Sequence, residues 1–222
     1  MNTKIAPSLD CADYVNLKKD IEQLEAGGAD ILHIDIMDGH FVPNFTAGPN
    51  LVSAVSEITD IPVETHFQME KNTEFIQMFL EAGSDIITFH AESCDRYFQA
   101  VQQIKEADKK ASIALNPGTP VSMIEHVLSR LDMIIMMCVD PGFAGQSFIK
   151  EVLPKIERVK EIIDNNNLEV DIAVDGNINK ETIKLTKNAG ANVFILGTSS
   201  IFQEGADREE RTKIFKDYCE QV

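Results

Sequence analysis

His33 and Asp35 stand two residues apart in an apolar, Ile-rich run. In an extended strand that spacing turns both side chains to the same face. Two further groups of the same kinds, His66 and Asp175, belong to the ends of other apolar runs. A lone His on an apolar strand is more often a core residue than a ligand, but two imidazoles and two carboxylates at matching strand ends form a mixed nitrogen and oxygen donor set. Such a set suits one divalent ion, Zn2+ first, with Fe2+, Mn2+ or Co2+ also accepted. A carboxylate that holds a cation through one oxygen can still act as a base through the other. Asp35 and Asp175 on opposite sides of a substrate would make a two-base pair. One removes a carbon-bound proton, the other returns a proton to the opposite face, and the cation offsets the charge that builds on the neighbouring oxygen. That chemistry inverts a stereocentre beside a carbonyl.

Three Gly-containing turns also follow apolar runs: Pro141-Gly142-Phe143-Ala144-Gly145-Gln146, Asp175-Gly176-Asn177 and Gly197-Thr198-Ser199. Backbone N–H groups in such turns, together with a following helix N-terminus, can face an anion. Each turn alone is also an ordinary tight loop, but three at neighbouring strand ends point to a phosphate site.

The elements that must position these groups are legible as alternation. Short Ile- and Val-rich runs, Lys4–Pro7, Ile31–Ile36, Val63–Phe67, Ile86–Phe89, Ser112–Leu115, Met133–Val139, Asp171–Val174 and Val193–Leu196, recur about every 27 residues with room for a helix after each. Eight β-α units of this kind predict an α/β fold, a single closed (β/α)8 TIM barrel over residues 1–222. Polar residues end every run: Ser8, His33 with Asp35, His66, His90, Asn116, Asp140, Asp175 and Gly197 to Ser199. In a barrel those ends converge on one mouth. The similar junctions Ala-Gly-Gly-Ala-Asp30, Ala-Gly-Ser-Asp85 and Ala-Gly-Ala-Asn192 read as structural punctuation, with Gly stopping a helix before the next strand.

Composition narrows the partners. The 222 residues carry 20 Lys and Arg against 36 Asp and Glu, a net charge of -16. That balance disfavours nucleic acid and membrane surfaces, both of which need clustered cations. Cys11, Cys94, Cys138 and Cys219 are widely spaced and read as free thiols. With no leader pattern and no long apolar window, the expected location is cytoplasmic.

At these residues the chain resembles the ribulose-phosphate 3-epimerase family. The matching stretches are Ile5-Ala-Pro-Ser-Leu9, the run IDIMDGHFVPN from Ile34 to Asn44, Asn116-Pro-Gly-Thr-Pro120, the run VDPGFAGQSFI from Val139 to Ile149, Val174-Asp-Gly176, and the Gly-Thr-Ser-Ser-Ile-Phe run ending at Phe202. The resemblance implies a ribulose-phosphate-binding barrel that epimerises a ketose phosphate at carbon 3, with D-ribulose 5-phosphate and D-xylulose 5-phosphate as the pair. It places the metal ligands on His33, Asp35, His66 and Asp175, the proton acceptor on Asp35 and the donor on Asp175. Ser8 and His66 match positions against the sugar oxygens. Gly142, Phe143, Ala144, Gly145, Gly176, Asn177, Gly197 and Thr198 match the substrate loops, while Met37 and Met137 match side chains lining the enediolate. It further implies a homo-oligomer, a dimer or a hexamer.

Three positions depart from the family pattern. Phe67-Gln68 replaces the usual Leu-Met, which puts Gln68 on the enediolate lining and Met69 on the other face of the strand. Gly176-Asn177 replaces Gly-Gly, and Asp140-Pro-Gly-Phe-Ala144-Gly replaces Asn-Pro-Gly-Phe-Gly-Gly. The last form, with the Gly-Thr-Ser turn, is closer to a D-allulose 6-phosphate 3-epimerase branch, which acts on D-allulose 6-phosphate and D-fructose 6-phosphate. A barrel lyase fits less well, because Asp35-Ile-Met-Asp38 supplies no Lys for the Asp-x-Lys-x-x-Asp run of those enzymes. A non-catalytic sugar-phosphate binder would have lost a ligand, and all four are present.

Overall fold

A computed structural model describes residues 2–222. Eight strands run parallel: β1 (Lys4–Pro7), β2 (Leu32–Met37), β3 (Val63–Gln68), β4 (Ile86–His90), β5 (Lys110–Leu115), β6 (Met133–Met137), β7 (Asp171–Asp175) and β8 (Val193–Leu196). They form one sheet in the order β1-β8-β7-β6-β5-β4-β3-β2, and its two ends meet through a parallel bridge between Ser8 and His33. The expected barrel is the observed one. Small shifts in strand bounds bring Met37, Gln68, His90 and Asp175 to the last position of their strands.

The helices are α1 (Leu17–Ala26), α2 (Pro49–Ser56), α3 (Asn72–Glu81), α4 (Tyr97–Glu106), α5 (Leu153–Asn165), α6 (Lys180–Ala189) and α7 (Arg208–Gln221). The expectation of a helix after every strand fails once. Between β5 and β6 there are two 3-10 turns, Val121–Met123 and Leu128–Arg130. Pro117, Gly118 and Pro120 hold the start of this connection in a turn, with Thr119 N–H on Asn116 C=O, and the chain continues in 3-10 turns rather than an α-helix. Ile124, Val127, Leu128 and Leu131 nevertheless cover the sheet as a helix would.

Alternation along the strands separates two cores. Ala6, Ile31, Ile86, Ala114, Met133, Ile135, Met137, Ala173, Val193 and Ile195 fill the barrel interior. The opposite faces, with Phe67, Phe89 and Phe194 fully buried, pack under the helices. Met69 lies in this outer layer, away from Gln68.

The similar junctions turn out to be clamps at the end of the barrel remote from the mouth. Asp30 gives its N–H to Ile5 C=O and takes Ile5 N–H on its carboxylate at 2.8 Å. Asp85 does the same with Val63 at 3.0 Å, and Asp132 with Ala111 at 2.7 Å. Asn192 does so with Ile172, its Oδ1 accepting at 2.7 Å. Each odd-numbered strand is thereby locked to its even-numbered successor at one fixed offset. The three carboxylates each carry a Lys: Lys216 on Asp30, Lys109 on Asp85 and Lys105 on Asp132. The fourth clamp is an amide for an electrostatic reason. Asn192 Nδ2 donates to Asp171, itself paired with Lys4, where a second carboxylate would meet a like charge. Asp85→Ala leaves the buried Val63 N–H without its acceptor and should cost about 1–3 kcal/mol in urea unfolding. Lys109→Met removes only the half-exposed ion pair and should cost under about 1 kcal/mol.

Candidate active site

The mouth-side cavity has a volume of about 560 Å³, room for a small phosphorylated molecule of five or six carbons. Asp35 from the end of β2 and Asp175 from the end of β7 both open into it. In strand order β8 and β1 lie between these two strands, so the carboxylates reach the cavity from different sides. His33 and His66 are fully buried just behind it. One ligand atom from each of His33, Asp35, His66 and Asp175 lies within 4.8 Å of all the others. Asp35 Oδ1 sits at the centre, 3.1 Å from His33 Nε2, 2.9 Å from His66 Nδ1 and 2.7 Å from Gln68 Nε2.

This cluster fits a divalent cation on donor chemistry. Both imidazoles turn one nitrogen to the cluster and place the other on a partner, Glu64 for His33 Nδ1 and His90 for His66 Nε2. That is the arrangement by which outer groups fix ligand orientation. Gln68 Oε1, buried beside the cluster, has no hydrogen-bond partner, which leaves an acceptor free for a group delivered from the cavity.

The electrostatics of the two carboxylates diverge. Burial alone would raise Asp35, but the charge and hydrogen bonds of His33 and His66 hold it well below the usual carboxylate range. Burial and then the Asp35 charge push Asp175 up to about 6. Burial drives His33 down, yet the Glu64 and Asp35 charges outweigh it and hold this ring well above its usual value. The metal-free site therefore stores one ionised carboxylate facing a readily protonated one. Asp10, unforeseen in the sequence, is pushed up to about 7 by burial and by Asp35, whose backbone N–H it accepts at 2.7 Å. Thr46 Oγ1 donates to Asp35 C=O at 2.6 Å, so the peptide groups on both sides of this residue are fixed.

The Gly turns border the same cavity. Gly142, Gly145 and Gly176 adopt φ of +115°, +84° and +110°, and Asn177 is left-handed at +54°. At Gly176 a Cβ would lie 2.6 Å from Val139 Cγ2 and 2.9 Å from its backbone N, so only Gly fits. Gly197, Thr198 and Ser199 line the wall nearby, as do Ser8, Met37, Met137, Phe143 and Ala144. No Lys or Arg lines the cavity among the described residues, so an anion there depends on backbone N–H groups and on a cation in the cluster. Asn44 Nδ2 donates to Gly142 C=O at 2.8 Å and ties the loop after β2 to the loop after β6 across the opening.

Not every polar strand end reaches the cavity. His90, Asn116 and Asp140 are absent from its lining. Asp140 is exposed, and its C=O accepts from Gln146 Nε2. Within the last departure from the family pattern Asp140 thus falls outside the pocket while Ala144 lines it, and Gln68 lines it beside Asp35. Sequence reasoning missed Glu64, Asp10 and Thr46. For Glu64 the signal was present, since Glu64, His66 and Gln68 alternate on one face of β3. Asp10 lies in the short 3-10 turn Leu9–Cys11 and Thr46 in a loop, where no periodicity marks them.

The description "Ribulose-phosphate 3 epimerase family" matches residues 4–202 of this chain. A ribulose-phosphate 3-epimerase of Bacillus subtilis (strain 168) is 48% identical over 197 residues, covering 88% of this chain and 91% of the relative. Those of Synechocystis sp. and Escherichia coli (strain K12) are 39% and 38% identical, over 89% and 90% of this chain and 87% and 89% of theirs. Among solved structures, a 3-hexulose-6-phosphate synthase from Salmonella typhimurium superposes with a TM-score of 0.75 at 19% identity, covering 98% of this chain and 99% of that one. A 3-keto-L-gulonate-6-phosphate decarboxylase from Vibrio cholerae does so with 0.75 at 13%, covering 100% and 99%. These last two likenesses bear on the barrel alone. No helix among the described residues is long and apolar enough to cross a membrane.

A raised carboxyl loses folded-state stability as pH climbs from its unfolded to its folded value, here from 3.8 to about 6. Asp175→Asn removes that loss. In chelated protein its unfolding midpoint should exceed the parent's by about 5 °C at pH 8 and match it below pH 4.

Proposed function

The chain belongs to the ribulose-phosphate 3-epimerase family, and from that premise we propose that its barrel mouth passes a proton between Asp35 and Asp175 to invert carbon 3 of a ketose phosphate. The reaction is the interconversion of D-ribulose 5-phosphate and D-xylulose 5-phosphate, an isomerisation that breaks one C–H bond and forms another on the opposite face. The observation that carries the residue assignment is the placement of two carboxylates, one from β2 and one from β7, on different sides of one cavity. Asp35, kept ionised, accepts the proton from one epimer. Asp175, raised to about 6, exchanges a proton within reach of neutral pH and gives one from the other side, and the roles exchange in reverse.

His33, Asp35, His66 and Asp175 would hold one divalent cation per subunit, with Zn2+ the first choice for this donor set and Fe2+, Mn2+ or Co2+ compatible with it. When bound it supplies positive charge that offsets the oxyanion left as the proton departs. Ser8 and His66 are assigned to the sugar oxygens. The backbone of Gly142 to Gly145, Gly176, Asn177, Gly197 and Thr198 is assigned to the substrate and chiefly its phosphate, in keeping with a wall that lacks basic side chains. Met37 and Met137 give the reacting carbon an apolar lining that keeps water from reprotonating it, and Gln68 replaces a third such side chain.

The pentose reading rests on the relatives, all three of which bear the pentose name; the hexose phosphate reading gains nothing from them. Four free thiols support a reducing, cytoplasmic setting. Family membership supports a homo-oligomer of two or six subunits, and Tyr14, Val15 and Phe45, apolar and exposed at the mouth, are side chains that assembly would cover.

Incubation of ribulose 5-phosphate with the protein in deuterated water should place deuterium at carbon 3 of both epimers, faster than allulose 6-phosphate is labelled. No deuterium at that carbon in either sugar would defeat the reading. Asp175→Asn should lower turnover by about 10³-fold while the chain stays cooperatively folded, because an amide cannot relay the proton.

A further inference from the structure

Gln68 brings to the cluster an oxygen that the proposed reaction leaves idle. His66 pairs in register with Asp35 on the neighbouring strand, and Gln68, two residues on, presents the same face of β3 one step nearer the mouth. Gln68 is buried and lines the cavity. Its amide Nε2 lies 2.7 Å from Asp35 Oδ1 and 3.5 Å from His66 Nδ1, while Oε1 is buried without a hydrogen-bond partner.

These separations are close to those of donors around one ion. Ligands about 2.0–2.2 Å from a common cation stand about 2.8–3.6 Å from one another in tetrahedral or octahedral sets. Asp35 Oδ1 lies 3.1 Å from His33 Nε2 and 2.9 Å from His66 Nδ1. The end of the Gln68 amide thus stands at the spacing of a fifth donor.

Without a cation the NH2 group turns inward, because an ionised carboxylate oxygen only accepts and Nε2 is the donor end of the amide. A cation on Asp35 Oδ1 reverses that preference. The amide hydrogens would then face a positive charge, whereas an amide carbonyl oxygen is a ligand for it. Exchanging the two ends needs a half-turn about the terminal Cγ–Cδ bond, a soft torsion, and leaves the side chain in the same space. The exchange gives up no bond on the far side, where Oε1 has none. We propose that Gln68 is a fifth ligand of the cation, bound through Oε1 after this half-turn. The inference rests on the reading of the cluster as a metal site and adds a third oxygen to its two imidazoles and two carboxylates. The Met of the family pattern brings no oxygen to this place. Five donors depart from the four-coordinate geometry usual for Zn2+ and suit ions that prefer more oxygen ligands, so Gln68 narrows the lead of Zn2+ over Mn2+.

A crystal structure of the wild-type chain loaded with Mn2+ should place the end of the Gln68 side chain about 2.0–2.3 Å from the ion. An ion held by His33, Asp35, His66 and Asp175, with both ends of the amide more than about 3 Å away, would overturn the inference and leave the metal reading standing. Gln68→Met supplies the second measurement. In competitive titration of the metal-free protein, the variant should lose about 10-fold in Mn2+ affinity relative to Zn2+. An unchanged ratio of the two affinities would also overturn the inference. If Gln68→Met does not fold, the wild-type complex alone decides. A wild-type chain that binds neither Mn2+ nor Zn2+ would overturn the metal reading and this inference with it.

Discussion

Two carboxylates that repel one another, held in one mostly buried cavity, set the terms for the site. Among the described residues no Lys or Arg in the wall offsets them, so the charge balance falls to the buried imidazoles and would be completed by a cation in the cluster. This explains why the surroundings are so heavily hydrogen-bonded. Asp35 is gripped at its N–H by Asp10, at its C=O by Thr46 and at its side chain by two His and one Gln. Asp175 is left to burial and repulsion, which push its carboxyl up to about 6. One residue is immobilised as an anion while the other is kept undecided. The net charge of -16 says nothing of this, because it describes the outer surface rather than the one pocket expected to draw in a dianion.

The four residues of the central cluster were readable because strands write their geometry into the sequence. A two-residue period put His33 with Asp35, and the shared end of successive strands added His66 and Asp175. The same rule over-read His90, Asn116 and Asp140. Strand-end polarity says that a residue is near the mouth, but loops decide which residues meet the cavity, and here the loops after β6, β7 and β8 draw it to their side. Asp10 acts from a 3-10 turn and Thr46 from a loop, so their approach to Asp35 depends on tertiary closure that no local pattern encodes. The missing helix between β5 and β6 had a readable cause in Pro117, Gly118 and Pro120, although the apolar spacing that followed still had a helical period.

Gln68 shows how one substitution reshapes a site while leaving its four His and Asp donors in place. An amide at this position donates to the oxygen of Asp35 that both imidazoles already face, and presents an unmatched acceptor beside it. A thioether would fill the same space with neither effect. Asp140, by contrast, lies on the exposed flank of its loop. Departures of similar size in the sequence therefore carry different weight, and only their distance from Asp35 separates them.

The four clamps on the far side of the barrel bear on how the chain finds its fold. Their side-chain hydrogen bonds join residues separated by 25, 22, 21 and 20 positions, which is short range for a barrel of parallel strands. Each can form within its own quarter of the sequence, before the ends of the sheet meet. Folding can then advance through small, locally closed units whose loop-closure entropy is modest. The pairing of Lys216 with Asp30, across 186 positions, belongs to the last step, when the final helix seals the seam between first and last units.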